Sequence, residues 1–248
     1  MLFRSICKLG MKNSLFQIVN DRHRINLLKE YAGLPSRDTI IVYPGCYKVR
    51  PTTFEPRETI RENWGLPREA FIIGSSGGFN LTAGADWLLD YMRETHDVYA
   101  VIQPLGVTPL SMFLLESLEF DKRLFLQKER LSWFEAWRIS IGFDVGLSIY
   151  KNPAPQFQMM GISSNRLCMF IAMGIPVIAT RQESFTFLED YDCGLMVGNY
   201  DEFKLALAEI RNRRQEMSSN CERCFQEYIM SAQRYQHLVT LIQNKTGR

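Results

Sequence analysis

The residues best placed to do chemistry in this chain gather at the front of one segment, 161 to 180. It reads Gly-Ile-Ser-Ser-Asn-Arg-Leu-Cys-Met-Phe-Ile-Ala-Met-Gly-Ile-Pro-Val-Ile-Ala-Thr. Ser163 and Ser164 offer a helix N-cap and Asn165 and Arg166 occupy the first turn. Gly174 with Pro176 then ends the helix before the apolar run Val177-Ile178-Ala179. Such a helix start presents unbonded backbone N–H groups and the positive end of the helix dipole, so it suits an anion. A guanidinium there adds a charge-assisted donor. The chemistry this points to is phosphate binding, although the same capped helix and glycine stop also serve an α/β connection that holds no ligand. A second candidate is Gly74-Ser-Ser-Gly77-Gly78-Phe-Asn80, where a bare backbone can approach a ligand closely or simply turn.

These residues need a scaffold, and the chain supplies one from residue 39 onward, where strand-like and helix-like segments alternate. Strands are expected at Thr39–Tyr43, Ala70–Gly74, Val98–Ile102, Arg123–Leu126, Asp144–Ile149, Val177–Ala179 and Gly194–Val197. Between them come helical patterns at Pro56–Trp64, Thr82–Thr95 and Leu110–Leu118, and one from the capping box Ser132-Trp-Phe-Glu135 to Ile141. After the helix of the opening segment, another is expected over Asp201–Arg211 and one or two more over Met217–Leu241. Strands joined by helices imply right-handed parallel βαβ units, hence an α/β doubly wound parallel sheet. Ligands in such sheets bind outside the carboxyl ends of the strands. Two connections qualify there: Gly74 to Asn80, and Tyr150 to Asn165. The expected organisation is an N-terminal segment over 1–38, a Rossmann-like domain over 39–215 and a C-terminal helical segment over 216–248.

Composition narrows the function classes. The chain has 248 residues, 46% apolar and 23% charged, enough for a substantial core and ordinary for a globular protein. Its 29 basic and 27 acidic residues leave a net charge of +2, and they are dispersed, so no nucleic-acid footprint is indicated. Arg211-Asn-Arg-Arg214 reads as the solvated C-terminal end of a helix. Six scattered cysteines fit a reducing compartment, and Cys221-Glu-Arg-Cys224, lacking a second ligand pair, reads as helix residues. The three histidines show no metal-ligand spacing, so no metal site is expected. No apolar run is long enough to span a bilayer. The basic, apolar Met1–Val19 suits either a peripheral membrane contact or ordinary packing. Trp133, Phe134 and Trp137 on one helical stretch could serve a partner interface and read in preference as core. Dinucleotide binding fails on detail, because Gly74, Gly77 and Gly78 miss the G-x-G-x-x-G spacing and Gln103 stands where an acidic ribose ligand belongs.

The order Phe71-Ile-Ile-Gly-Ser-Ser-Gly-Gly, Ala83-Gly-Ala-Asp-Trp-Leu-Leu, Asp144-Val-Gly-Leu-Ser, Ser164-Asn-Arg-Leu, Ala172-Met-Gly-Ile-Pro-Val-Ile-Ala and Cys193-Gly-Leu-Met-Val resembles a known family. It is similar to the C-terminal, nucleotide-sugar-binding half of GT-B glycosyltransferases, especially the group 1 retaining enzymes that build bacterial surface polysaccharides. The resemblance covers about residues 38 to 210. Asn20-Asp-Arg-His-Arg24 through Tyr43-Pro-Gly-Cys46 also looks like the family's last acceptor-domain helix and interdomain crossing.

The resemblance implies transfer of a sugar from a nucleotide-diphosphate sugar to a glycan or polysaccharide acceptor, in the cytoplasm or at the inner face of the membrane, with no cofactor and no metal. Carried over by position, Gly77, Gly78 and Asn80 would face the donor diphosphate, and Ser163, Ser164, Asn165 and Arg166 would bind it from the helix start. The sequence departs from the family at four places. Gly78 and Ala83 stand where the family has arginine and lysine, Met169 where a glutamate holds the donor ribose, and Gly161 where a second glutamate lies eight residues earlier. Tyr150 and Lys151 are the nearest substitutes. With about forty residues before the crossing, the chain is expected to be a fragment, one half of a split enzyme whose acceptor domain is a separate chain, or a degenerate domain kept for binding a partner.

Overall fold

Short apolar strands and capped helices alternate along the chain and build two parallel sheets. The computed structural model describes residues 2–14, 17–19, 21–32, 40–42, 55–104, 113, 122–129, 131–230 and 232–246. Helix α1 (Leu2–Asn13) precedes a small unit in which β1 (Gln17–Val19) and β2 (Ile40–Val42) pair in parallel and α2 (Arg24–Ala32) lies between them in sequence. Then come α3 (Arg57–Asn63), β3 (Phe71–Gly77), α4 (Ala85–Glu94), β4 (Val98–Pro104), β5 (Leu124–Leu126), α5 (Trp133–Ser140) and β6 (Val145–Ser148). A short α6 (Pro155–Gln158), α7 (Asn165–Ala172), β7 (Val177–Thr180), α8 (Phe187–Asp190) and β8 (Gly194–Val197) follow. The chain closes with α9 (Tyr200–Cys224), a π turn over Phe225–Ile229 and α10 (Ala232–Thr246).

The larger sheet has the order β5-β4-β3-β6-β7-β8 and every pairing in it is parallel. The expected doubly wound sheet is present. Alternate strand residues feed two apolar layers: Ile72 faces the layer of Ile60, Trp64, Trp137 and Phe170, whereas Phe71 and Ile73 face that of Leu88, Met92, Phe203 and Ile210. Helices α3, α5 and α7 therefore cover one face, and α4 with the first half of α9 the other.

Strand order reverses between β3 and β6, and close packing fixes that seam. A Cβ on Gly74 would stand 2.0 Å from the Phe143 ring, and one on Gly146 would stand 2.3 Å from the Phe170 ring. Both glycines are thus seats for aromatic rings. β3 also runs three residues beyond Gly74, to Gly77, so the turn after it is shorter than the glycine pattern suggests.

At the amino end of β6, Asp144 is buried among cations. One carboxylate oxygen accepts from Arg57; the other accepts from Arg61 Nη2 at 2.6 Å and from the Ile72 N–H at 2.7 Å. Arg214 Nε lies 2.8 Å from the first oxygen, without the alignment of a hydrogen bond. Arg61 reaches the carbonyls of Gly142 and Ala70 as well, at 3.0 and 2.8 Å.

The last third of the fold corrects two expectations. α9 continues unbroken past Arg211 to Cys224 because Met217, Cys221 and Cys224, spaced four and three residues apart, bury against the core. Arg211 to Arg214 is therefore mid-helix. Arg213 pairs with Asp192, Glu209 and Glu216, and Arg211 with Asp97. Cys221 and Cys224 are helix residues, as expected. Cys221 Sγ donates to the Cys193 carbonyl at 3.5 Å; the two neighbouring thiols draw the Cys193 thiol below its ordinary range, while their own pKa values rise with burial and that pairing. Among the aromatics expected in the core, Trp137 is buried and Phe134 is 43% exposed. The Pro44-Gly45 turn, Cys46 and, Phe113 apart, the helix expected over Leu110–Leu118 lie outside the described residues. Among the described residues no helix is long and apolar enough to cross a membrane.

Removing the Asp144 carboxylate leaves Arg61 and its neighbours as uncompensated buried charge. Asp144→Ala is expected to lower unfolding stability by about 3–5 kcal/mol, read as a shift in the urea midpoint. A change below 1 kcal/mol would show that the cluster is solvated.

Candidate functional site

The helix start predicted from the sequence forms as expected. Ser164 is the N-cap of α7 and its hydroxyl accepts from the Leu167 N–H at 3.3 Å. Gly174, at φ +70°, ends the helix in the left-handed region that glycine tolerates. Six consecutive residues, Leu167 to Ala172, are buried, so α7 is anchored on all sides beyond its first turn. Asn165 is exposed there, and the first-turn N–H groups lie ahead of any intrahelical acceptor.

The structure brings several predicted residues together where the carboxyl ends of β3 and β6 meet. Gly77 takes φ +99°, which permits the turn after β3, and a Cβ on it would lie 3.9 Å from Arg166 Nη1. Arg166 is held by its neighbours. Its Nε donates to Tyr150 Oη at 3.1 Å, Nη2 to the Ile149 carbonyl at 2.8 Å and Nη1 to the Ser76 carbonyl at 3.3 Å. The guanidinium also stacks on the Tyr150 ring, 4.4 Å from its centroid. Three of its five N–H groups are thereby engaged, and two have no acceptor among the described residues. Tyr150 Oη in turn lies 2.6 Å from Ser164 Oγ. The strand ends, the aromatic ring and the helix cap form one hydrogen-bonded unit.

Other predicted residues are engaged elsewhere. Lys151 Nζ is 2.6 Å from both carboxylate oxygens of Asp86 on α4 and sits over the Trp87 ring. Asn80 caps the short turn after β3, its side-chain oxygen accepting from the Ala83 N–H at 3.0 Å and from the Thr82 hydroxyl at 2.8 Å. A Cβ on Gly78 would meet only Asn80, at an ordinary 3.5 Å. Ser163 Oγ donates to the Met160 carbonyl. Met169, on the second turn of α7, is 5% exposed and packs in the core, with Ser140 Oγ 3.9 Å from its sulfur.

Three features had no visible signal in the sequence. The first is a contact made by the small N-terminal unit. Asp21, after β1, accepts from the Ile162 N–H at 2.9 Å. Arg24 donates to the Met159 and Gln156 carbonyls at 2.9 and 2.8 Å. Burial lowers the Arg24 guanidinium from its ordinary value, and Asp21 and then Tyr150 pull it back up. The turn after β1 and the start of α2 therefore pack directly against the connection into α7.

The second is a row of buried polar groups. Ser76 and Gln103 are register partners on β3 and β4. Ser148 stands two residues beyond the Gly74–Gly146 pair, as Ser76 does, so all three leave the face seated by Phe143 and Phe170. Among the described residues, both amide atoms of Gln103 and the Ser148 hydroxyl are buried without a hydrogen-bond partner. The third feature is the brace around the loop before α7, where Gln182 and Ser184 accept from the N–H groups of Met160 and Gly161. Among the described residues no His, Cys, Asp and Glu side chains are grouped to hold a metal ion.

No family model and no curated protein matches the sequence; solved structures do match the fold. Anabaena Alr3699/HepE, solved with UDP and glucose, superposes with a TM-score of 0.74 at 13% identity, over 97% of this chain and 66% of that one. Sucrose-phosphate synthase from Thermosynechococcus elongatus gives 0.71 at 14% identity, over 98% and 61%. The C-terminal domain of a group 1 glycosyl transferase (LpcC) from Francisella tularensis gives 0.53 at 16% identity, over 68% and 90%. The fold is that of the GT-B group 1 glycosyltransferases. The chain spans 66% of the HepE chain and 61% of the sucrose-phosphate synthase chain. In GT-B terms the reversal between β3 and β6 is the switch point of the sheet, and Gly77, Tyr150 and the start of α7 stand at its carboxyl edge.

Tyr150 is the common partner of Ser164 and Arg166. Tyr150→Phe keeps the ring under the guanidinium but removes both hydrogen bonds. It is expected to cost about 1–3 kcal/mol in urea denaturation; an unchanged midpoint would mean that water replaces the hydroxyl at no cost.

Proposed function

We propose that the chain binds a nucleotide-diphosphate sugar at the carboxyl edge of β3 and β6, and that it is a glycosyltransferase, or the donor-binding part of one, acting on a glycan or polysaccharide acceptor. The observation that carries this reading is that Gly77 lies beside the Arg166 guanidinium in the first turn of α7, whose start is capped by Ser164. Backbone N–H groups, a helix dipole and a guanidinium together suit a diphosphate, and they stabilise the charge that develops on it as a leaving group. In this reading Gly77, Gly78 and Asn80 line one side of the diphosphate and Ser163, Ser164, Asn165 and Arg166 the other. Tyr150 orients Arg166, while Lys151 supports α4 through Asp86. The orphaned Gln103 and Ser148 groups add polar capacity at the same edge. The donor is a substrate and no cofactor is invoked. The acceptor side is supplied by chain beyond this one or by a separate acceptor-domain partner, at the inner face of the membrane where polysaccharide acceptors are assembled. The likeness in fold to HepE makes UDP-glucose the first donor to try.

A second reading, a degenerate GT-B domain kept for binding, is favoured by the burial of Met169 and by the absence of basic side chains at Gly78 and Ala83. Calorimetric titration with UDP-, GDP- and dTDP-sugars tests the first reading, and no heat at millimolar ligand would sink it. Arg166→Ala is expected to weaken binding by about 1.5–3 kcal/mol, roughly ten- to a hundred-fold. Binding without UDP release in the presence of acceptor glycans would favour the second reading.

A further inference from the structure

The charge around Asp144 does not balance. One carboxylate stands among the guanidinium groups of Arg57, Arg61 and Arg214, which leaves two positive charges in excess at the amino end of β6. Both carboxylate oxygens are filled, one by Arg57 with Arg214 close by, the other by Arg61 and the Ile72 N–H. Acids that flank these arginines on α3 and α9 are committed elsewhere, Glu55 to Arg138, Glu62 to Arg68, and Glu209 and Glu216 to Arg213. Burial is what most lowers the Arg57 pKa, and Arg61 adds to that; Asp144 and, more weakly, Glu58 act the other way.

The three arginines differ in how far their donors are used. Four of the five N–H groups of Arg61 are bonded, to the carbonyls of Gly142, Arg68 and Ala70 and to Asp144, and its side chain is 4% exposed. Arg57 Nη1 donates to the Phe143 carbonyl at 3.1 Å and Nη2 to Asp144, so its other N–H groups have no acceptor among the described residues. Arg214 Nε is buried 2.8 Å from Asp144 Oδ1 but out of line, and no acceptor among the described residues meets its Nη groups. The Arg57 and Arg214 side chains are 19% and 34% exposed, against 7% for Asp144 beneath them. Two guanidinium groups thus adjoin at one carboxylate oxygen, with unused donors and access from solvent.

We propose that Arg57 and Arg214 bind a phosphate dianion, free or as a phosphate monoester, at the amino edge of the sheet, a site separate from the donor region at Gly77 and Arg166. A dianion matches the excess of two charges, and its tetrahedral oxygens offer an acceptor to each guanidinium fork. Asp144 holds the two forks side by side, and Arg61 offsets the repulsion that this carboxylate would otherwise exert on the ligand. The bound group joins α3 to α9 and acts on the stability of the fold, not on sugar transfer.

Calorimetric titration at about pH 8, where a phosphate monoester is doubly charged, tests this on Arg166→Ala protein, in which the donor region is disabled. Inorganic phosphate is expected to bind at one site with millimolar affinity. At saturation it is expected to raise the melting temperature by about 2 °C or more, beyond the effect of sodium chloride at equal ionic strength. Arg57→Gln and Arg214→Gln in that background are each expected to weaken binding by about ten-fold or more. Arg93→Gln, the same loss of charge at an exposed pair on α4, is expected to leave it within about two-fold. Glycerol 3-phosphate, titrated alongside, binding tighter than inorganic phosphate marks a monoester as the ligand, and weaker marks the free ion. No saturable binding in Arg166→Ala protein, an equal rise in melting temperature with sodium chloride, or equal weakening by Arg93→Gln overturns the proposal. Arg214 is the more exposed of the two, so Arg214→Gln decides if Arg57→Gln does not fold. None of these outcomes bears on donor binding.

Discussion

Asp144 carries one negative charge out of contact with water, and three guanidinium groups from α3 and α9 close on it. Because the same carboxylate accepts the Ile72 N–H of β3 while Asp144 directly precedes β6, it ties together the two strands at which the strand order reverses. Taking this many charges from water is costly unless every group is paired. Arg61 answers that cost with further bonds to the carbonyls of Gly142 and Ala70. The glycine seats for Phe143 and Phe170 complete the seam from within. Gly77, Tyr150 and the start of α7 lie at the opposite end of those two strands from the charge cluster.

At the carboxyl end the chemistry is arranged around Tyr150. Its ring lies against the Arg166 guanidinium, and its hydroxyl joins that group to the cap of α7. Three acceptors hold Arg166 in one orientation, so its side-chain entropy is already spent in the fold. The departures from the group 1 pattern have physical counterparts in the same region. Position 169 is core because α7 is buried on all sides beyond its first turn. Position 161 is filled by the Asp21 carboxylate, which reaches it from the N-terminal unit. The carboxylate beside Gly161 comes from another part of the chain, and Arg24 fastens that part to the loop before α7.

Much of the fold was legible in the sequence. The Ser132 capping box, the Ser164 cap and the Gly174 stop each form where residue type and spacing placed them. Less was legible where a local rule was right but its end point was not. Arg211 to Arg214 carries the charge of a helix terminus, yet the helix continues because Met217, Cys221 and Cys224 pay the way with apolar burial further on. Gly74 shares the glycine richness of a ligand turn and serves instead as a seat for Phe143.

The sequence by itself determined what depends on neighbours a few residues apart: the alternation of strands and helices, the caps and stops, and hence a parallel α/β sheet with a polar helix start at its carboxyl edge. The tertiary structure alone decided the partners. Asp21 meets Ile162 across 141 residues, Arg166 meets Ser76 across 90, and Arg61 meets Asp144 across 83. Sequence spacing fixes which side of a helix or strand a residue occupies, but not which other element packs there. The same Asp, Arg and His residues could have been a solvated surface, and only the closing of the sheet made them a charge seam and a hydrogen-bonded unit.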